Sequence, residues 1–240
     1  MVFKKIVELK PINIAIDGYA GCGKSTLARD LAKATGFTLV DTGALYRGMT
    51  YAFLKAGMAE VLNDVSKFLR ETAPELRFDP KTNDLLMNGE SIEAAIRNDQ
   101  RVANEVSNVA AIQEVRTYLL RVQQAYIDQK GVVMEGRDIG TVVMPQADLK
   151  VFITADIDTR VKRRLQQLTE NGITTTADEV RKNLTMRDEK DTTRDVAPLA
   201  MANDAIAIDT GKLNKEQQLA FALALVSPLT DPDKYFPFIR

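Results

Sequence analysis

Eight residues, Gly18-Tyr19-Ala20-Gly21-Cys22-Gly23-Lys24-Ser25, constrain the fold more than any other part of the chain. They fill the pattern G-x-x-x-x-G-K-[ST]. The apolar run 12–16 just before them reads as a buried strand, and 24–34 reads as a helix with Leu27 and Leu31 on one face. Strand, glycine-rich loop and helix in that order form a cradle for phosphate oxygens, the P-loop. Glycines let backbone N–H groups turn inward, and the helix N-terminus adds partial positive charge. In such a loop Lys24 reaches β and γ phosphates and the Ser25 hydroxyl sits on Mg²⁺. A P-loop alone leaves kinase, GTPase, motor and regulator open.

The rest of the chain alternates in the same manner. Residues 37–40, 132–135, 149–153 and 205–208 read as further short buried strands. Helical patterns run over 43–56, 102–111, 114–129, 157–168, 177–187 and 215–226. Strands alternating with helices imply a parallel five-stranded sheet covered on both faces, an α/β fold of the P-loop NTPase type. Ligands then bind beyond the C-terminal strand ends. The expected core is 1–59, 100–155 and 196–240. Two regions fall outside it. Residues 60–99 read as a small antiparallel insertion with a short helix at 65–71 and turn residues Pro80-Lys81-Thr82-Asn83. Residues 156–195 are helical in pattern but very polar, which suits a lid. The aromatic tail 231–238 is expected to pack back on the core.

Composition excludes several classes. The chain has 240 residues, a net charge of −1 and 45% hydrophobic residues, so bulk charge does not make it a binder of nucleic-acid polymers. No apolar run reaches the length of a membrane span, and no signal-peptide core follows Lys4 and Lys5. A single cysteine, Cys22, excludes an intrachain disulfide and a cysteine zinc cluster, and the expected location is the cytoplasm. Two readings of Cys22 stand: a thiol activated by the helix N-terminus, or the filler of a variable loop position. There is no histidine at all, which removes the commonest general base and metal ligand.

Three clusters qualify the P-loop. Asp41-Thr42-Gly43-Ala44-Leu45-Tyr46-Arg47 starts at a strand end, with Thr42 as the expected N-cap. Gly136-Arg137-Asp138-Ile139-Gly140-Thr141 follows another strand. Arg160, Arg163 and Arg164 share one helix face, and Arg187, Lys190 and Arg194 follow among acids. These are either solvated ion pairs or a cation set that neutralises phosphates. Transfer between two phosphate groups requires such a set, because arginine forks bind phosphate oxygens bidentately. The acceptor phosphate has its second pKa near 6, so it needs no base. Many arginines and no histidine therefore favour a phosphate acceptor.

These motifs, in this order, resemble the bacterial cytidylate kinases over roughly residues 11–226. The G-R-D-x-G-T-V-V stretch and the R-D…V-A-P-L stretch (187–199) are the most specific parts. The resemblance implies γ-phosphoryl transfer from Mg·ATP to CMP or dCMP by a monomer. It also implies that 60–99 binds the monophosphate. It assigns Gly18 to Thr26, with Arg160 and Arg164, to ATP, with Ser25 holding the metal. It assigns Thr42, Arg47, Ser107, Arg116, Arg137, Asp138, Arg187, Asp191 and Arg194 to the acceptor. Ser107, Arg116 and Asp138 match positions that read the cytosine edge. Lys24, Arg137, Arg187 and Arg194 match the catalytic cations. Tyr19 stands where the family commonly has Pro, Cys22 where it has Ser or Ala, and Lys190 and Thr192 where arginines are common. A kinase for another small acceptor (AMP, UMP or shikimate) and a silent nucleotide-binding module are the rivals.

Overall fold

The computed structural model describes residues 9–170 and 172–231. In chain order the strands are β1 (Asn13–Gly18), β2 (Thr38–Asp41), β3 (Leu76–Phe78), β4 (Leu85–Met87), β5 (Glu90–Ser91), β6 (Val132–Glu135), β7 (Leu149–Thr154) and β8 (Ile206–Asp209). The helices are α1 (Lys24–Thr35), α2 (Thr42–Ala56), α3 (Met58–Asn63), α4 (Val65–Glu71), α5 (Glu93–Asn98), α6 (Gln100–Val109), α7 (Gln113–Ile127), α8 (Ile157–Glu170), α9 (Ala177–Thr193) and α10 (Lys215–Thr230).

Five strands form one parallel sheet in the order β2-β6-β1-β7-β8. The period-2 alternation of side chains divides them between two cores. Ile14 and Ile16 of β1 and Val133 of β6 face α1 and α10, packing with Leu27, Leu31, Ala222 and Val226. Ala15 of β1 and Val132 and Met134 of β6 face α2, α6 and α7, packing with Leu45, Met49, Phe53 and Leu119. Both faces of the inner strands are covered, as their continuous apolar runs require. β8, expected to be buried, instead leaves Ile206 and Ala207 exposed, because it lies at the sheet edge with only β7 beside it. Burying each of the larger side chains contributes about 1.5–3 kcal/mol.

Gly18 ends β1 at φ 146, and a Cβ there would lie 2.1 Å from the Ile153 carbonyl oxygen of β7. Only glycine lets the loop leave the sheet at that point. Gly23, at φ 98, is the N-cap of α1 and offers no side chain to cap it. The first N–H groups of α1 are thereby left for a ligand.

Residues 60–99 fold as a three-stranded antiparallel sheet, β3-β4-β5, flanked by α3, α4 and α5. Its inner face (Leu76, Phe78, Leu85, Ile92 and Ile96) joins the same core as Leu45, Met49 and Phe53 of α2. Gly48 of α2 makes room: a Cβ there would meet Leu85 Cδ2 at 2.6 Å. Strands β4 and β5 are joined by Asn88 and Gly89 at φ 53 and 87, the backbone of a type I′ hairpin.

Helices α8 and α9 form an antiparallel arm over the P-loop. Thr176 and Glu179 make a reciprocal capping box at the start of α9. Val161, Val180 and Leu184 close a third, small apolar cluster on Ala20 of the P-loop. α9 runs to Thr193, six residues beyond the 177–187 pattern, because its polar face turns toward the cleft. Helix α10 continues past Val226 through Pro228, and its end is tied where Lys10 N donates to the Thr230 carbonyl at 3.2 Å. The expected packing of the aromatic tail from 232 onward lies outside the described residues.

Candidate active site

The C-terminal strand ends, the P-loop, α2 and the α8–α9 arm enclose a cleft of about 540 Å³. Its walls are rich in cations. Lys24 and Ser25 come from the P-loop, Arg47 from α2, Arg97 from α5, and Arg137 from the turn after β6. Arg163, Arg164 and Arg187 come from the arm. Burial, then Arg187 and Arg97, pushes Arg47 down to about 9. Burial, then Arg137, pushes Arg187 down to about 10. Both remain cations at neutral pH. Burial and then Arg137 also lower Lys24. Its Nζ donates to the Tyr19 carbonyl at 2.7 Å. Packing like charges this closely is unfavourable in itself, and an anion in the cleft would relieve it.

Two carboxylates stand at the strand ends beneath these cations. Asp41 and Glu135 are directly opposite in the β2–β6 register. Asp41 is the N-cap of α2, accepting from Ala44 N at 3.0 Å, and it pairs with Arg97 at 2.6 Å. Burial opposes its ionisation, but Arg97 outweighs burial and holds it below the usual carboxylate range. Glu135 is pushed up to about 7, first by burial and then by Asp41. Its Oε1 is buried without a hydrogen-bond partner.

A second cluster adjoins the cleft. Asp138 is 4% exposed and pairs with Arg116 of α7 on one oxygen and with Arg194 on the other, the latter at 3.1 Å. Arg116 is fixed by the Ala110 carbonyl at 3.1 Å and lies over the Tyr46 ring. Arg194 donates to the Ala197 carbonyl at 2.7 Å, a residue held at φ 49. Burial raises Asp138 even against its two arginines. Arg137 is aimed by Asp191 of α9 at 2.7 Å.

The match with the family model for cytidylate kinase spans residues 14–227. The chain belongs to the cytidylate kinase family. It is similar to the cytidylate kinase of Flavobacterium johnsoniae, 42% identical over 233 residues, covering 94% of this chain and all of that protein. The cytidylate kinase of Carboxydothermus hydrogenoformans is 41% identical, with 92% of this chain and 99% of that protein covered. That of Streptococcus suis is 43% identical, with 89% and 95% covered.

Against this family frame, the residues expected from sequence fall into groups. Lys24, Ser25, Thr26, Arg47, Arg137, Arg164 and Arg187 line the cleft together. Arg116, Asp138 and Arg194 meet in the adjoining cluster, so Arg194 reaches an acid beside Arg116. Ser107 sits half-buried on α6 beside Asn108, whose amide oxygen accepts from Lys190 of α9 at 2.8 Å. Thr42 is not the N-cap. Asp41 takes that role, its carboxylate being a stronger acceptor for the helix N–H groups, and the Thr42 hydroxyl donates to the Glu135 carbonyl at 2.7 Å. Arg160 turns beneath the loop. It binds the Ala20 carbonyl at 3.1 Å, pairs with Asp188 and lies over the Tyr19 ring. The neighbouring Arg163 faces the cleft instead and donates to Thr210 Oγ1 and O. Cys22 is wholly buried between loop and core and donates to the Tyr19 carbonyl at 2.9 Å. It fills a loop position, and its burial removes the reactive-thiol reading. Tyr19, in place of Pro, braces the loop edge-on against Phe152.

Sequence reasoning assigned Arg97 and Glu135 no role, and it named Asp41, Arg163 and Asp188 only as members of their clusters. Asp188 accepts from Ala20 N at 3.1 Å and so holds the loop as well as Arg160. Glu135 did carry a signal: a carboxylate closing a buried strand immediately before Gly136-Arg137-Asp138.

Among the described residues, no helix is long and apolar enough to cross a membrane. No group of three or more acidic or cysteine ligands forms a ready metal cage among them either.

Proposed function

We propose that this chain transfers the γ-phosphoryl group of ATP to CMP or dCMP, giving ADP and CDP or dCDP. The observation that carries the reading is the pairing of two sites on one set of strand ends. One is a cation-walled P-loop cleft, and the other is a buried Asp–Arg cluster beside it. The family supplies the reaction class, and these residues supply a physical account of it.

Lys24 and the uncapped N-terminus of α1 hold the β and γ phosphates. Arg47, Arg137 and Arg187 surround the acceptor phosphate and the group in transit, stabilising charge that spreads over its oxygens. Asp191 fixes the Arg137 fork, so little ordering remains to be done at the moment of transfer. The acceptor phosphate is largely dianionic at neutral pH, so no protein base is needed. The α8–α9 arm screens the cleft from water and so disfavours hydrolysis of ATP.

The residues also fit a magnesium ion held mainly by the phosphates. The Ser25 hydroxyl and the unpartnered Glu135 Oε1 lie on the same wall, and among the described residues no all-protein cage competes. When bound, Mg²⁺ neutralises the triphosphate and orients its γ group. Asp138 accepts from the cytosine N4 amino group, and Arg116 donates to the ring acceptors. Uracil reverses that pattern and leaves buried polar groups unpaired, which weakens it as a substrate. The protein acts as a monomer in the cytoplasm, with 60–99 closing over the acceptor and 156–195 over ATP.

The test is ADP release from Mg·ATP with CMP, dCMP, UMP, AMP and no acceptor. The expected order is CMP and dCMP strong, UMP weak and the blank near zero. Another acceptor turning over fastest would overturn the cytosine-reading assignment.

A further inference from the structure

The turn that carries Arg137 and Asp138 is irregular. Residues Ile139–Val143 form a single π-helical turn, and Asp138 before it has non-helical backbone angles (φ −136, ψ 26). π-turns of this kind are rare and need support. That support comes from Asp17, the next-to-last residue of β1. Its Oδ1 accepts from Ile139 N at 2.8 Å and its Oδ2 from Gly140 N at 2.7 Å. Both carboxylate oxygens are thereby spent on consecutive N–H groups. Asp17 is 5% exposed. A Cβ on Gly140 would meet Asp17 Oδ2 at 3.4 Å, an ordinary contact, and Lys150 Cδ at 3.2 Å, where the flexible lysine chain can give.

We propose that Asp17 is a positioning residue for the acceptor half of the site: its carboxylate clamps the π-turn and so sets where Asp138 and Arg137 point. Asp17 touches no substrate in this arrangement. It acts one and two residues away, through the backbone that aims the two side chains. The proposal rests on the reading of Asp138 and Arg137 as acceptor ligands given above. An amide cannot replace the clamp, because its NH₂ would face one of the two N–H donors. A buried donor would then lose its partner, and the turn would shift to recover one.

The experiment uses the full chain with Asp17→Asn and, separately, Asp17→Glu. Asp17→Glu keeps both acceptor oxygens but lengthens the arm by one methylene, so the clamp is displaced rather than removed. CMP and UMP binding to the nucleotide-free protein is measured by calorimetry, alongside Mg·ATP binding. The kcat/KM for CMP and for UMP is measured in parallel, below the thermal midpoint of each variant. The expected result is a CMP affinity reduced about tenfold in Asp17→Asn. The CMP-to-UMP ratio should fall with it, and Mg·ATP affinity should hold. Asp17→Glu should give the same signature in smaller measure. A CMP-to-UMP ratio unchanged in every variant that folds overturns the proposal, as does an equal loss on the ATP side, which would place the effect in the adjoining P-loop. A wild-type protein that does not prefer CMP would sink the functional reading instead, and the two failures are distinguished by that control.

Discussion

Lys24 and Asp138 show how differently single residues at this site are bound to the fold. Lys24 is a buried cation among arginines, lowered by burial and by Arg137, so its removal relieves the folded state of an unfavourable charge. Lys24→Ala should therefore reduce turnover by about 10²–10³-fold while leaving the thermal midpoint unchanged or higher. Assay and melting curve together check this, and near-normal turnover would remove Lys24 from the mechanism. Asp138 is the opposite case, since it neutralises Arg116 and Arg194 at once. Asp138→Ala should destabilise the protein by about 3–5 kcal/mol, because two buried guanidinium groups lose their counter-ion. It should also raise the KM for CMP more than tenfold, a conventional loss for a buried charged hydrogen bond, with Mg·ATP affinity preserved. An equal loss for both nucleotides would contradict base reading. The spacing of Gly18 to Ser25 made Lys24 legible in the sequence. The role of Asp17 and the meeting of Asp41 with Glu135 were not legible, because an acid at the end of an apolar run looks like a solvated strand end. Their burial follows from strand register, which places Asp41 against Glu135, and register is not written in local spacing.

At the scale of elements, the legible parts were those with a long periodic signal. The ends of β6 coincide with the apolar run 132–135, and all five strands of the parallel sheet were readable within a residue or two. The six-residue helices α3 and α5 and the two-residue strand β5 span too few turns or pairs to show a period. The Asn88-Gly89 pair was nonetheless a usable hairpin signal, since type I′ turns need positive φ at both positions. It yields a test free of packing effects. Gly89 sits at φ 87 with no atom within 4 Å of a Cβ placed there. Gly89→Ala should therefore destabilise through backbone strain alone, by about 1 kcal/mol. Denaturant unfolding measures the loss. Turnover with CMP at low temperature should stay within twofold or so, because neither Asn88 nor Gly89 lines the cleft. A large drop in activity would show that the hairpin communicates with the site. The α8–α9 arm was read correctly as helical and polar. Its small apolar cluster on Ala20 was hidden, because Val161, Val180 and Leu184 are spread over two helices and look incidental in either one.

For the molecule as a whole, the same features that prepare the cleft for phosphate make the protein's stability depend on pH. Three acids are held above their ordinary values, chiefly by burial: Asp17 from 3.8 to about 6, Glu135 from 4.5 to about 7, and Asp138. An acid whose folded pKa is raised favours the folded state while it is protonated. Its contribution is complete below the unfolded pKa and is lost as pH rises through the folded one. For Glu135 that window runs from 4.5 to about 7. The loss amounts to a few kcal/mol at most, at about 1.4 kcal/mol per unit. Glu135→Gln removes this titration while keeping a similar shape. The variant and the wild type should melt together near about pH 5, and the variant should melt several degrees higher near about pH 8, at roughly 2–4 °C per kcal/mol. Asp17 and Asp138 titrate alike in both proteins and cancel from the difference. Turnover should move the other way. On the proposed reading, in which Glu135 helps hold the phosphate-bound Mg²⁺, a neutral amide would be a poorer ligand than a carboxylate, so the stabilised variant should be the slower enzyme. A variant less stable than wild type at the higher pH would mean that Glu135 is held as a paired anion, and the burial of its unpartnered oxygen would then need another explanation.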